Sequence, residues 1–227
     1  MTMMLICGDP HRAFSHIVDS TLKNRPDAVI LLGDMECLRP LHEELETILD
    51  RTEIWWIPGN HDTDKEYFYD NLFGSSLANR NLHGRVADVA GLRVAGLGGV
   101  FRRSIWMPTD PEGARYDSLE DYRAHCGKGN LWRGGAPLKQ RSSIFPDQYK
   151  RLMTQRADIL VTHEAPSYHE FGYAAITSLA ENMGVRAAFH GHQHIDIQYP
   201  RTVWHGVGER GLFLFESVKS CANSHPK

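Results

Sequence analysis

Cysteine is sparse in this chain, and the four present, Cys7, Cys37, Cys126 and Cys221, are scattered without a C-x-x-C pair. A disulfide-framed mini-scaffold is excluded at this length, and reduced thiols in a cytoplasm are the expectation. Cys7 closes a short apolar run, where a small buried residue is the simple reading. Long apolar stretches are missing too. Nothing approaches the roughly 18 residues that a transmembrane helix needs, and Met1 to Ile6 is too short for a signal peptide before Asp9 and His11 interrupt it. Nor is there a strong excess of either charge: a formal net charge of -3 supplies no global field to recruit nucleic acid or an anionic membrane. No repeat, linker or low-complexity tract is visible, and 41% hydrophobic with 23% charged residues excludes a disordered or fibrous chain. At 227 residues, one large α/β domain is expected over positions 1–218, followed by a polar tail at 219–227.

Histidine is what the chain has in plenty, at 13 residues, and its placement follows the predicted strands. Met3 to Cys7 reads as a first strand that opens into Gly8-Asp9-Pro10-His11. A helix is expected over about 12–24, with Phe14, Ile17, Val18, Thr21 and Leu22 on one face. Ala28 to Leu32 is a second strand ending in Gly33-Asp34, and a second helix is expected over 38–50. Ile54-Trp55-Trp56-Ile57 is a third strand, followed by a Pro58-Gly59 turn and Asn60-His61-Asp62. This alternation predicts parallel strands with right-handed crossovers.

After a short helix near 65–73, runs 84–89 and 92–97 flank an Ala90-Gly91 turn. No long periodic pattern appears over about 100–145, although Ser118 and Asp121 stand at capping-box-like spacing. Pro146 then opens a helix to about 156, and Asp158 to Thr162 is a strand leading to His163. A helix over 173–183 stops at Gly184, and Arg186 to His190 is a strand leading to Gly191-His192-Gln193-His194. Runs 195–199, 202–204 and 212–216 read as antiparallel strands.

Polar loops bearing Asp, His or Asn therefore stand at the ends of the strands before Asp9, Asp34, Asn60, His163 and His192. Parallel strand ends lie about 4.8 Å apart, so side chains from such loops converge on one small volume. Imidazole and carboxylate together suit Mn, Fe, Zn or Ni better than the all-oxygen cage of Ca. Asp9, His11, Asp34, Asn60, His163, His192 and His194 are more donors than one ion uses, and two divalent ions sharing a carboxylate are the natural solution. His190 and His205 fall on strand-like runs and read as packed or hydrogen-bonded side chains.

The ordered set D-x-H, G-D, G-N-H-D, a lone His and G-H-x-H, spanning positions 9 to 194, resembles the calcineurin-like metallophosphoesterase superfamily. The resemblance implies a four-layer α/β/β/α sandwich. It also implies Asp9, His11, Asp34 and His194 around one metal, and Asp34, Asn60, His163 and His192 around the other, with Asp34 bridging. His61 matches the family's acid or transition-state stabiliser and Asp62 the group that orients it. The implied chemistry is phosphate-ester hydrolysis by a metal-bridging hydroxide, with phosphodiesters slightly preferred and manganese the leading metal.

Departures from relatives narrow the reading. The arginine that protein phosphatases carry after G-D is replaced by Met35-Glu36-Cys37-Leu38, and Asp62 stands where they have Glu. His61 speaks against the lipid A pathway pyrophosphatases, which resemble G-N-R-D. What remains resembles the small bacterial members acting on a small phosphate ester, a nucleotide-like one among the candidates. A phosphomonoesterase or protein phosphatase, a non-catalytic metal-binding scaffold and a nucleic-acid enzyme are the alternatives, the last weakly supported by the charge. The segment 100–145 carries a local +3 against -6 elsewhere. It is either a lid in which Arg102 and Arg103, with Arg133, Trp106 and Trp132, hold an anionic substrate, or a solvated, salt-bridged loop.

Overall fold

The computed structural model describes residues 1–217, so Cys221, His225 and the expected polar tail lie outside the described residues. Strands β1 (Thr2–Cys7), β2 (Ala28–Leu31) and β3 (Glu53–Trp56) run parallel in register, Met4 opposite Ala28 and Val29 opposite Ile54. The last described strand, β10 (Leu212–Ser217), returns antiparallel to β1 and completes a four-stranded sheet ordered β10-β1-β2-β3. The second sheet has six strands in the order β4-β5-β6-β7-β9-β8. These are β4 (Arg85–Val89), β5 (Leu92–Leu97), β6 (Ile159–Thr162), β7 (Ala187–His190), β8 (Ile197–Gln198) and β9 (Trp204–Gly206).

The apolar runs that fill the central strands β1, β2, β3, β5, β6 and β7 are largely buried on both faces, and their period of two sorts them into separate cores. Met4, Ile6, Ile30, Leu32 and Trp55 of the first sheet meet Val94, Ile159, Val161 and Phe189 of the second, which makes the layer between the sheets. The alternate residues Leu5, Cys7, Val29, Leu31, Ile54 and Trp56 pack outward on Phe14 and on Ile17 of α1 (Ser15–Asn24). On the far side, Ala95, Leu97, Leu160 and Ala188 pack on Leu152 of α5 (Pro146–Met153) and on Ile176, Leu179 and Met183 of α6 (Ala174–Met183). The molecule is thus layered helix, sheet, sheet, helix, the sandwich that the resemblance implied.

Several local expectations change. The helix expected over 38–50 is one turn, α2 (Leu41–Glu44), followed by a 3-10 turn at Glu46–Ile48. Its apolar stripe is interrupted, since Leu38 and Leu49 face solvent while Leu41, Leu45 and Ile48 are buried. Strand β9 pairs parallel to β7, and only its other edge is antiparallel, to β8. Hydrophobic alternation reports which face is buried and carries no signal for strand direction. The Ala90-Gly91 turn, both residues at positive φ, joins β4 and β5 as expected. Helix α3 (Glu66–Phe73) follows the third strand. Ser118 caps α4 (Leu119–His125), its hydroxyl accepting from the Asp121 N–H at 3.0 Å. No helix among the described residues is long and apolar enough to cross a membrane.

Candidate metal centre

The five loops do not share a sheet: those after β1, β2 and β3 leave the first, and those after β6 and β7 leave the second. Side chains converge because the backbone takes sharp bends there. Asp9, His11, Asp34, Glu36, His192 and His194 all adopt φ between 30° and 65°, a region that non-glycine residues rarely occupy. Such strain persists only where surrounding contacts over-determine it. Two glycines permit the close approach: a Cβ on Gly59 would collide with the Asp34 carboxylate, and one on Gly191 would sit 2.6 Å from Asp9 Oδ1.

The seven expected ligands form one continuous cluster. His194 Nε2 lies 3.3 Å from His11 Nε2 and 3.6 Å from Asp9 Oδ2, while Asp9 Oδ1 is 3.7 Å from His163 Nδ1. His163 Nε2 in turn is 3.4 Å from Asp34 Oδ2 and 3.2 Å from Asn60 Oδ1. One donor atom from each of Asp34, His163 and His192 falls within 4.8 Å of the others. Asp9, Asp34 and His163 are buried, Asp9 and His163 fully so.

Hydrogen bonding fixes which ring nitrogens are free. The Nδ1–H of His163 donates to the Leu32 carbonyl at 2.8 Å, so its Nε2 faces Asp34 and Asn60. The Nδ1–H of His11 donates to Glu36 Oε1 at 2.6 Å, which leaves its Nε2 lone pair facing His194. Glu36 is held in turn by the Arg12 guanidinium at 2.8 Å. Buried oxygens Asp9 Oδ1 and Asp34 Oδ2 have no hydrogen-bond partner. Two orphaned carboxylate oxygens, buried where imidazole nitrogens and an amide oxygen converge, call for positive charge among them. The donor set therefore fits divalent cations.

Electrostatics agree in direction. Burial lifts the Asp9 carboxyl to about 6, with the charge of Asp34 adding to it. Burial opposes ionisation of His163 and Asp34, yet their mutual attraction wins, raising the imidazole to about 10 and holding the carboxyl below its usual range. Without a metal, one proton on His163 is the counter-charge that the carboxylates require.

Asp62 does not touch the His61 ring. Its two oxygens accept the backbone N–H groups of Glu36 at 2.9 Å and Gly59 at 2.8 Å, bracing the loops after β2 and β3 against each other. Burial, then the charge of Asp34, pushes its carboxyl up to about 7. The carboxylate that meets His61 is Asp64, whose Oδ2 is 2.6 Å from Nδ1. Burial lowers the His61 imidazole, but Asp64 and Asp34 outweigh it and hold it above its ordinary value. Sequence reasoning missed Asp64 and Glu36. The His61–Asp64 spacing of i, i+3 in the 3-10 turn His61–Thr63 was the available signal for the first.

A cleft of about 320 Å³ opens beside the cluster, bordered by Asn60, His192, Arg102, Glu164, Phe171 and Tyr173 among others. Arg102 lies in its wall, with Nη2 donating to Ser142 Oγ at 3.2 Å and a buried Nε that has no partner. Arg103 is exposed and does not border the cleft. Trp106 packs on Phe101 and Tyr149. Trp132 and Arg133 dock on α3, where Arg133 pairs with Asp70 at 2.5 Å and Glu66 at 3.2 Å. Of the arginines and tryptophans in the expected lid, Arg102 is the one that borders the cleft. His190 and His205 are packed as expected, His190 Nε2 lying 2.9 Å from the Tyr199 hydroxyl and His205 stacking on Phe189.

A sandwich of this layering with such a cluster at its strand ends defines a metal-dependent phosphoesterase. The chain matches the calcineurin-like phosphoesterase family over residues 3–196 and belongs to it. A Haemophilus influenzae protein, itself uncharacterized, is 42% identical over 197 residues, covering 87% of this chain and 85% of that one. The solved structure of TT1561 of Thermus thermophilus aligns over 94% of this chain and 98% of its own at a TM-score of 0.56 and 15% identity, a likeness of fold.

Proposed function

We propose that the chain hydrolyses phosphodiesters in preference to monoesters, at two divalent ions of which manganese is the leading candidate. The observation that carries this reading is the inward-facing donor set, above all the orphaned oxygens of Asp9 and Asp34 beside His163. Asp9, His11 and His194 would hold one ion and Asn60, His163 and His192 the other, with Asp34 between them. Two such ions, when bound, activate water for in-line attack and neutralise charge on the phosphoryl oxygens.

The chain's own groups supply the rest. His61, kept toward its protonated form, donates a proton to the leaving oxygen or stabilises charge there. Asp64 fixes its ring by accepting from Nδ1, and Asp62 acts through the backbone of the two loops that carry Asp34 and Asn60. Arg102 anchors a phosphoryl oxygen. A diester monoanion suits a cleft that offers a single arginine, and Phe171 and Tyr173 leave an apolar side for the second ester group.

The test is hydrolysis of bis-p-nitrophenyl phosphate and p-nitrophenyl phosphate by stripped protein refilled separately with Mn, Fe, Ni, Zn and Mg. Turnover that needs a metal and favours the diester supports the proposal. A faster monoester overturns the diester preference, and silence with two ions bound points to a scaffold.

A further inference from the structure

The segment 100–145 has a closed neck. Val100 N–H donates to the Ser142 carbonyl at 2.9 Å and Ile144 N–H to the Val100 carbonyl at 3.0 Å, so the two ends of the segment pair like strands. Phe101 N–H is fixed separately, donating to Glu164 Oε1 at 3.0 Å. Arg102 therefore follows two pinned residues, and its side chain reaches Ser142.

The Ser142 hydroxyl is buried and meets three groups: Arg102 Nη2 at 3.2 Å, Thr63 Oγ1 at 2.6 Å and the Lys139 carbonyl at 3.3 Å. A guanidinium only donates, so Ser142 Oγ accepts from Arg102. Thr63 Oγ1 is its nearest partner, a bond in which either hydroxyl can donate, while the Lys139 carbonyl accepts from Ser142, and the Thr63 hydroxyl also reaches the Asn60 carbonyl at 3.3 Å. These contacts run from Arg102 through Ser142 and Thr63 to the loop that holds Asn60 and His61.

We propose that Ser142 is a positioning residue for substrate binding: it aims the Arg102 guanidinium at a phosphoryl oxygen and locks that aim to the Asn60–Thr63 loop. The proposal rests on the phosphoesterase reading and adds to it the group that sets the anion clamp. Holding Nη2 removes much of the rotamer freedom that a free arginine would lose on binding. Arg102 borders the cleft beside Asn60 and His192, where the held guanidinium would meet the ligand.

The test measures kcat and KM for bis-p-nitrophenyl phosphate, and calorimetric binding of inorganic phosphate, on the metal-loaded protein. Ser142→Ala is expected to raise KM and weaken phosphate binding about tenfold, the worth of one charge-assisted hydrogen bond, with kcat changed less than about twofold. Ser142→Thr, which keeps the hydroxyl, should restore most of the loss, and Thr63→Val, nearly isosteric, should reproduce part of it. In an Arg102→Ala background, Ser142→Ala should add nothing further, because the group it aims is gone. Equal effects in both backgrounds, or a fall in kcat and Tm with KM unmoved, would show a purely structural serine and overturn the proposal. An unchanged KM in Arg102→Ala would also overturn it while leaving the phosphoesterase reading intact. If the wild type turns over no ester, that reading fails, and the phosphate titrations still decide the clamp.

Discussion

The metal cluster and the 100–145 segment are both polar, loop-rich and without long hydrophobic periodicity, yet they use their charged residues in opposite ways. In the cluster, Asp9, Asp34 and His163 are buried and the oxygens Asp9 Oδ1 and Asp34 Oδ2 are left unsatisfied. In the body of the segment, charges are largely exposed, and some are paired, Arg133 with Asp70 and Glu66, and Asp117 with Lys150 of α5. Unsatisfied burial is costly and survives where a ligand repays it, whereas exposed pairs contribute little and need no ligand. Arg102, at the neck between the two regions, shares the cluster's trait, an inward donor without a partner.

That contrast can be broken most severely at Asp34. Asp34→Asn should abolish stable metal loading and lower kcat/KM by about 10³-fold, and metal content by atomic spectroscopy together with turnover would check it. His61→Ala should keep both metals and lose about 10²-fold in kcat, with Asp64→Asn showing a smaller loss in the same direction; loss of metal in His61→Ala would reassign His61 as a ligand. Glu36→Gln weakens the acceptor that sets the His11 tautomer, and metal affinity measured by competition with a chelator should fall about tenfold. At the small end, Arg133→Ala should cost under about 1 kcal/mol in denaturant unfolding and leave KM within about twofold, as exposed pairs do. A KM effect there comparable to that of Arg102→Ala would erase the distinction between neck and body.

Much of this was legible in the residues. The central strands β1, β2, β3, β6 and β7 announced themselves because both their faces are largely buried, and the ordered Asp, His and Asn loops pointed to the cluster. The supporting contacts were not legible. The expectation that Asp62 orients His61 came from the resemblance, but Asp62 accepts from the Glu36 and Gly59 backbone, and the carboxylate on the ring is three residues on from His61. Glu36 lies two residues past Asp34, and only the positive φ at both positions swings it back under His11. The break after α2 and the parallel pairing of β9 likewise depend on tertiary neighbours that periodicity does not encode. For Arg102 and Arg103, composition saw two equal cations, and the hydrogen bond to Ser142 is what separates them.

The cluster takes its donors from loops on both sheets, Asp9, His11, Asp34 and Asn60 from the first and His163, His192 and His194 from the second. A cation held there is consequently a rivet between the two halves of the sandwich, and its binding free energy is also folding free energy. At a free metal concentration of 100 times Kd, each ion would add about 2.7 kcal/mol to global stability. The protein's melting temperature then becomes a gauge of metal supply, rising with available cation even when no substrate is present.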